Sequence, residues 1–508
     1  MEQAPVVIVG AGPTGLVLAN LLGQAGVKTL LLEANPATVG EPRAVSIDDE
    51  TLRVVQEIGL LDAVSSEIVS GYGSEYRSPR GQVFVRVKPV ARPYGHARRN
   101  AFRQPVFEAQ LRDGLKRFSC IDARFEHEVT GFEPSTQGVT VRFCDPDGKT
   151  GAVRGSYLIA CDGARSPIRE ALGLQLAGDS LNERWLIIDL EDSPAPSPET
   201  LVFCDPDRPG IALPGPRLTR RYEFKVMPGE DEADLLSDLG VERLLRAHGA
   251  APGSRVVRKV IYHFHARIAE RWALGRIILA GDAAHLMPPF AGQGMNGGIR
   301  DAANLAWKLA EITHGRIGPG LLKTYEIERR DHVRSMIRLA LQMGSIFAPK
   351  TRLHGWATRA FFRALAIWPG ARSYFAEMKY KPIPRFEEGF IVRTQSLAEN
   401  LVGRMLPQPR LTDGALLDDR LGQGFVLLGI GLSPAALAAV SLGVEWDGLI
   451  ARRVALAKGE APPLDPYAGA VLLVRPDRYV MAGFAAADAP DVALRLMALL
   501  ADTRKVFS

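Results

Sequence analysis

The 508-residue chain has little cysteine: four residues, Cys120, Cys144, Cys161 and Cys204, none in a CxxC pair. So few thiols in so long a chain exclude a disulfide framework and fit a reducing, cytoplasmic setting. No apolar run reaches the roughly 20 residues that a membrane-spanning helix needs. The first apolar stretch is broken by glycines and has no basic leader, so it is expected to be a strand and not a signal peptide. Lysines and arginines are scattered, and the net charge is only +5. No block of one sign therefore argues for nucleic acid, although a mildly positive surface suits an anionic small substrate. There is no internal repeat and no low-complexity tract, and no metal site is expected.

What is present is an ordinary soluble composition, 46% hydrophobic and 23% charged. The length predicts two or three domains. Residues 1–34 read as strand, glycine turn, helix and strand, with Leu16, Leu18, Ala19 and Leu22 at helical spacing and Gly26 closing the helix. Asp48 or Asp49 is placed to cap a helix from about Glu50 to Ile58, ended by Gly59. RQPVFEAQLRDGLKRF reads as another helix, with Pro105 near its first turn. Residues 124–143 look like a β-meander, and residues 183–265 like an antiparallel sheet forming a second, substrate-facing region. Residues 320–400 are helix-rich, and a new unit begins near Pro407.

Three motifs carry chemistry. GAGPTG, with Gly10, Gly12 and Gly15, follows the strand Val6 to Val9 and opens a helix. Glycines there let backbone approach a pyrophosphate, and the helix end offers free N–H groups and a positive dipole. Glu33 ends the next strand, where a carboxylate accepts ribose hydroxyls. IILAGDAAHLMPP places Asp282 after a buried strand, within reach of a ribityl hydroxyl. Beyond it, Pro289 and the run AGQGMNGG bring Gly292, Gly294, Met295 and Asn296 toward one edge of a flat ring. A helix starting near Gly297 or Gly298 would aim its positive end at that edge. LIACDGARSPIRE is the third motif, with Asp162 and Gly163 at a strand end.

In this order and at these separations the three motifs resemble the FAD-dependent aromatic hydroxylases, flavoprotein monooxygenases of the p-hydroxybenzoate hydroxylase type. The resemblance covers roughly residues 1–340. EPRAVSIDDETLRVVQEIGL and the stretch from His263 to Leu309 are most similar to the 3-(3-hydroxyphenyl)propionate hydroxylase branch, while relatives acting on phenols, resorcinol and polyketides share much of this text. The fold it implies is α/β: a Rossmann-like FAD-binding domain (1–180 and 266–400, with a helical extension), an inserted antiparallel-sheet substrate domain (181–265), and a thioredoxin-like C-terminal domain (407–508) that lacks CxxC. With no cysteine after Cys204, dithiol exchange is excluded for that tail, leaving packing or a homodimer contact.

The resemblance also implies roles. Glu33 would bind the adenosine ribose, Arg43 would lie near the FAD, and Arg103 and Gln104 would contact it. Asp282 would bind the ribityl or pyrophosphate region, Pro289 and Gly292 to Asn296 would line the ring, and Asp162 would serve FAD and the nicotinamide. NADH or NADPH would reduce FAD, dioxygen would add to give a hydroperoxide, and its outer oxygen would pass to a phenolic acid ortho to the hydroxyl. A base beside that hydroxyl helps. Asp48, His263 and His265 are the candidates, against a helix cap for Asp48 and sheet-surface or hydrogen-bonded core roles for the histidines. His285 is expected to fix its loop. Arg184, Arg220 and Arg221 are candidates for the substrate carboxylate. The rival readings are an NAD-dependent dehydrogenase with a single Rossmann domain, a non-catalytic flavin-binding module, and a flavin hydroxylase acting on a membrane quinone or polyketide.

Overall fold

A computed structural model describes residues 2–38, 40–194 and 197–504. The last four residues of the 407–508 unit lie outside them.

The organising sheet has six strands, in the order Ala273–Leu274, Ile277–Leu279, Tyr157–Ala160, Val6–Val9, Thr29–Leu32 and Ile121–Arg124. All pairs are parallel except the first. The four central strands are almost wholly buried. That explains their unbroken Val, Ile and Leu runs: a sheet covered on both faces has no polar side to alternate with. The helices Pro13–Gln24 and Gly294–Thr313 pack together in the core of this sheet. The meander 128–134, 139–144 and 150–155 adds Val139, Val141, Phe143 and Val153 to the same core.

A second sheet has eight strands, in the order His285–Leu286, Arg255–Ala269, Leu176–Glu191, Arg220–Lys225, Gly210–Pro214, Thr200–Phe203, Ser74–Arg77 and Val83–Val87. The limits 181–265 are therefore too narrow for it. The sheet begins at Leu176 and runs to Ala269, and takes two strands from residues 74–87. Ser74–Arg77 joins by parallel pairing to Thr200–Phe203. Such a pairing spans more than a hundred residues and leaves no local pattern in either segment. At the other edge Leu286 pairs with Arg267, which joins this sheet to the GD turn of the first.

The helices Lys323–Phe347, Arg352–Leu365 and Pro369–Ala376 follow. From residue 425 a four-stranded sheet runs Ile450–Leu456, Phe425–Ile430, Ala470–Val474, Val480–Ala485, closed by the helix Ala489–Thr503. It has an apolar core on each face. Among the described residues no helix is long and apolar enough to cross a membrane.

Buried ions dock this last unit on the body. Glu328 accepts from Arg475 at 2.6 Å and from Lys308 at 2.8 Å, with all three side chains fully buried. Arg53 pairs with Asp418 at 2.7 Å. Burial alone would raise the Glu328 carboxyl, but Arg475 and Lys308 outweigh it and hold it well below the usual range. Burial pulls the Lys308 ammonium down to about 8 despite Glu328. Removing one member of such a set leaves charge buried without its partner. Glu328→Gln is expected to lower the unfolding free energy by about 3–5 kcal/mol, read from the denaturant midpoint of the full chain.

Candidate active site

The glycine turn shows why each glycine is there. Gly10 has φ +100°, and a Cβ on it would lie 2.3 Å from the Cys161 carbonyl oxygen. A Cβ on Gly15 would lie 2.0 Å from the Gly10 oxygen. Both are needed for the backbone to pack. Gly12 is different: nothing lies within 4 Å of where its Cβ would be. It keeps a space clear. Gly12 starts the helix Pro13–Gln24 with no side-chain cap and no acid in the first turn, so the helix end keeps its free N–H groups. Glu33 follows the strand Thr29–Leu32. Its Oε2 accepts from Ala11 N at 2.7 Å and its Oε1 from Asn35 N at 2.9 Å, which fixes a carboxylate beside the turn.

A second uncapped helix end faces the same space. Gly281 and Asp282 form a short turn after Ile277–Leu279. Asp282 is open to the cavity but hemmed in, and this pushes its carboxyl above the usual range against the pull of His285 and Arg43. His285 is buried, with Nε2 2.7 Å from Asp301 Oδ2. Asp301 also accepts from Gly281 N at 3.1 Å and from Arg329 Nε at 2.9 Å. One buried carboxylate thus fixes the turn, the histidine and the neighbouring helix. Sequence reasoning missed Asp301; its one signal is an acid inside an otherwise buried helical run.

The helix beyond starts at Gly294, three or four residues before the expected Gly297 or Gly298. Gly292 takes a left-handed conformation, φ +62°, and turns the chain early enough for Gly294, Met295 and Asn296 to form the first helical turn. Asn296 is buried. Its Nδ2 donates to the oxygens of Gly292 at 2.7 Å and Ser46 at 3.1 Å, and its Oδ1 accepts from Thr51 Oγ1 at 2.7 Å and Asp48 N at 3.1 Å. It ties the helix start to residues 46–51. This helix, too, has no acid in its first turn and no side-chain cap.

A cavity of about 430 Å³ connects the two helix ends. It runs from Gly12, Pro13 and Thr14 past Arg43, Ser46 and Asp282 to an end walled by Tyr72, Phe264, Phe290, Phe347 and Tyr380. Of the sequence candidates, Gly12, Arg43, Asp48, Gln104, Gly163, His263, His265, Asp282, Pro289, Gly292, Gly294 and Met295 lie on its wall. Gly10, Gly15, Glu33, Arg103, Asp162 and Asn296 lie behind or beside it. Gln104 Oε1 accepts from Ala44 N at 2.5 Å. Arg103 faces Glu191 at 3.6 Å. Asp162 accepts from Ile168 N at 3.2 Å through Oδ2, while its Oδ1 is buried without a partner. An open lane over Gly12 and two acid-free helix ends fit a long ligand with an anionic middle. These residues suit FAD.

Asp48 caps the helix Asp49–Glu57, accepting from Thr51 N at 2.9 Å. It also meets Lys381 Nζ at 3.0 Å and Arg300 Nη1 at 3.2 Å. Burial opposes its charge, but Lys381 and Arg300 prevail and hold the carboxyl well below the usual range. The adjacent Asp49 is pushed up to about 6, by burial first. Asp48, Asp49 and Glu50 bring ligand atoms within 4.8 Å of one another; Lys381, 2.7 Å from Glu50, already supplies the cation there. His265 Nδ1 lies 2.9 Å from Ser180 Oγ, and burial lowers its imidazole below the usual value. His263 is exposed. Of the three arginine candidates only Arg221 lines the cavity, and Asp189 neutralises it at 2.6 Å. Arg184 is paired with Glu232, and Arg220 is buried against Tyr222. Lys381, Arg98 and Arg99, on loops with no periodicity, were not foreseen.

Residues 3–340 match the family model described as FAD binding domain. The chain is 39% identical over 511 residues to 3-(3-hydroxy-phenyl)propionate/3-hydroxycinnamic acid hydroxylase 2 of Burkholderia vietnamiensis (strain G4 / LMG 22486), covering 95% of this chain and 94% of that protein. It is 39% identical over 438 residues to the corresponding hydroxylase of Klebsiella pneumoniae (strain 342), covering 85% and 79%. Among solved structures, a ternary complex of aklavinone-11 hydroxylase with FAD and aklavinone superposes with a TM-score of 0.79 at 25% identity, over 99% of both chains. The chain belongs to the FAD binding domain family, as an enzyme of the flavin-dependent monooxygenase class. Within that class it is similar to the hydroxylases named for 3-(3-hydroxyphenyl)propionate and 3-hydroxycinnamic acid.

Two predictions follow from the geometry. Gly12→Ala is expected to keep the fold, because its methyl enters open space, yet to weaken FAD binding; Gly10→Ala is expected to damage the fold itself. FAD titration by fluorescence quenching and the unfolding midpoint separate the two. Asp48→Asn removes the charge opposite Lys381 and Arg300 and is expected to cost on the order of 2–3 kcal/mol near neutral pH, since Glu50 still faces Lys381. The folded carboxyl sits below its unfolded value, so its contribution is present above about pH 4 and fades as pH falls further. The stability gap between wild type and variant should narrow below about pH 4 in denaturant titrations.

Proposed function

We propose that this chain uses NAD(P)H and dioxygen to hydroxylate a phenolic acid ortho to its hydroxyl, with 3-(3-hydroxyphenyl)propionate or 3-hydroxycinnamate as substrate. The observation that carries this is one continuous cavity, open over a pyrophosphate-type glycine turn at one end and walled by aromatic and tyrosine side chains at the other. The names of the relatives support the substrate class. Glu33 would hold the ribose, Asp282 the ribityl or pyrophosphate region, and Pro289 with the 292–296 turn one edge of the ring. Arg43, Arg103, Gln104 and the Asp162–Gly163 turn would complete the cofactor contacts, behind Gly10 and Gly15. Bound FAD supplies hydride acceptance from NAD(P)H and the activation of dioxygen.

The protein supplies the rest. The start of the helix Gly294–Thr313 stabilises negative charge at the ring edge that faces it. Trp185, Phe264, Phe290 and Phe347 form an apolar stack, with Trp185 and Phe347 centroids 5.2 Å apart and Phe264 and Phe290 5.8 Å apart, and keep water from the oxygen-transfer end. Asp48 stays ionised and, with Glu50, fixes Lys381 at the cavity wall. His265, neutral at pH 7, is the group among the three candidates with the chemistry of a proton acceptor. His263, exposed, completes that strand's polar rim. The last unit has a parallel strand pair, two antiparallel strands and a terminal helix, which supports a thioredoxin-like domain; without cysteine its role is docking.

The test is substrate-stimulated NADH oxidation with one atom of labelled dioxygen appearing in a catechol product. No turnover with any hydroxyphenylpropionate or hydroxycinnamate overturns the substrate assignment and leaves the flavoenzyme class intact.

A further inference from the structure

Five cations line the cavity, and two of them are held by carboxylates. Arg221 is paired with Asp189, and Lys381 with Asp48 and Glu50. Arg98 donates to the carbonyl oxygen of Glu377 at 2.6 Å. Arg43, exposed, acts on Asp282. Arg99 differs. Its guanidinium donates to Ser74 Oγ and lies over the ring of Tyr72, with Cζ 4.4 Å from the centroid. Its largest influences are burial and the hydroxyls of Tyr72, Tyr76 and Tyr380, and no ion pair joins it to a carboxylate among the described residues. A half-buried cation with neutral neighbours has charge to spare for an anion.

Its place along the cavity is also defined. A Cβ on Gly292 would meet Ser46 Cβ at 3.4 Å. Ser46 Oγ is 2.9 Å from Tyr72 OH, and Arg99 lies across the face of Tyr72. Contact therefore runs from the turn assigned to the flavin ring, through Ser46 and Tyr72, to the guanidinium. A compact aromatic ring lying beside Tyr72 would have the flavin turn at one edge and Arg99 at the other. Burial raises the Tyr76 and Tyr380 hydroxyls, so both stay protonated and able to donate.

We propose that Arg99, oriented by Ser74 and Tyr72, anchors the carboxylate of the substrate and sets a preference for phenolic acids over neutral phenols. This rests on the assignment of a phenolic acid as substrate. The guanidinium fork offers two parallel donors to a carboxylate, and the tyrosine hydroxyls cover its remaining lone pairs.

Calorimetric binding to the FAD-loaded full chain at pH 7 tests it, using 3-(3-hydroxyphenyl)propionate and its neutral counterpart 3-(3-hydroxyphenyl)propan-1-ol. Wild type is expected to favour the acid by about 100-fold. R99M should bring the acid-to-alcohol ratio close to one. R99K should fall between, because an ammonium replaces the charge but not the fork. If R99M does not retain FAD, R99K alone decides: its ratio must drop. A ratio unchanged from wild type in these variants overturns the anchor and leaves the substrate assignment standing. Wild type that binds neither compound overturns the assignment, and the anchor with it.

Discussion

Two helices aim their N-termini into one cavity, and neither carries an acid or a side-chain cap in its first turn. Everything about the site depends on that convergence. A helix end left open is a fixed partial positive charge with unpaired N–H groups. One such end beside an open lane suits a phosphate; a second, on the wall of the same cavity, suits an aromatic ring that gains negative charge. The parallel sheet makes this possible, because its strands end at the same edge and the turns that follow them share one crevice.

The ends stay in place through buried carboxylates, each with several partners. Asp301 holds Gly281 N, His285 and Arg329. Asp48 caps one helix and faces Lys381 and Arg300. Glu328 gathers Lys308 and Arg475. Paired ions in a protein interior add little net stability over well-packed apolar groups, but each fixes one geometry, since any shift leaves a charge exposed to low dielectric. That is a suitable framework for a site that must keep a flavin ring and its substrate in register. It also shows how the last unit serves the site without lining it: Arg475 acts on the helix that carries Arg329, and Arg329 bears on Asp301.

The geometry of the glycine turn was readable residue by residue. A β-branched run, three glycines and an acid on the next strand constrain one another through local geometry, and Gly10 and Gly15 are glycine because neighbouring backbone leaves no room for a Cβ. The helix that begins within AGQGMNGG was placed three or four residues late, because glycines carry no side-chain pattern to mark where helical geometry begins. The second sheet was read too small, because Ser74–Arg77 is recognisable as part of it only when it pairs with Thr200–Phe203. Of the arginines named from that sheet, Arg184 and Arg221 meet acids that a linear reading does not pair with them, Glu232 and Asp189.

By itself, then, the sequence determined the dinucleotide turn, the buried parallel strands and the absence of dithiol chemistry in the tail. These follow from short-range sterics, hydrophobic runs and residue inventory. Only the tertiary structure decided which charges are spent and which are free. Asp48 is neutralised by Lys381 from 333 residues away, and Arg99 lies among tyrosines instead of acids. Charge pairing is a property of distance in space, and a linear pattern carries no record of it.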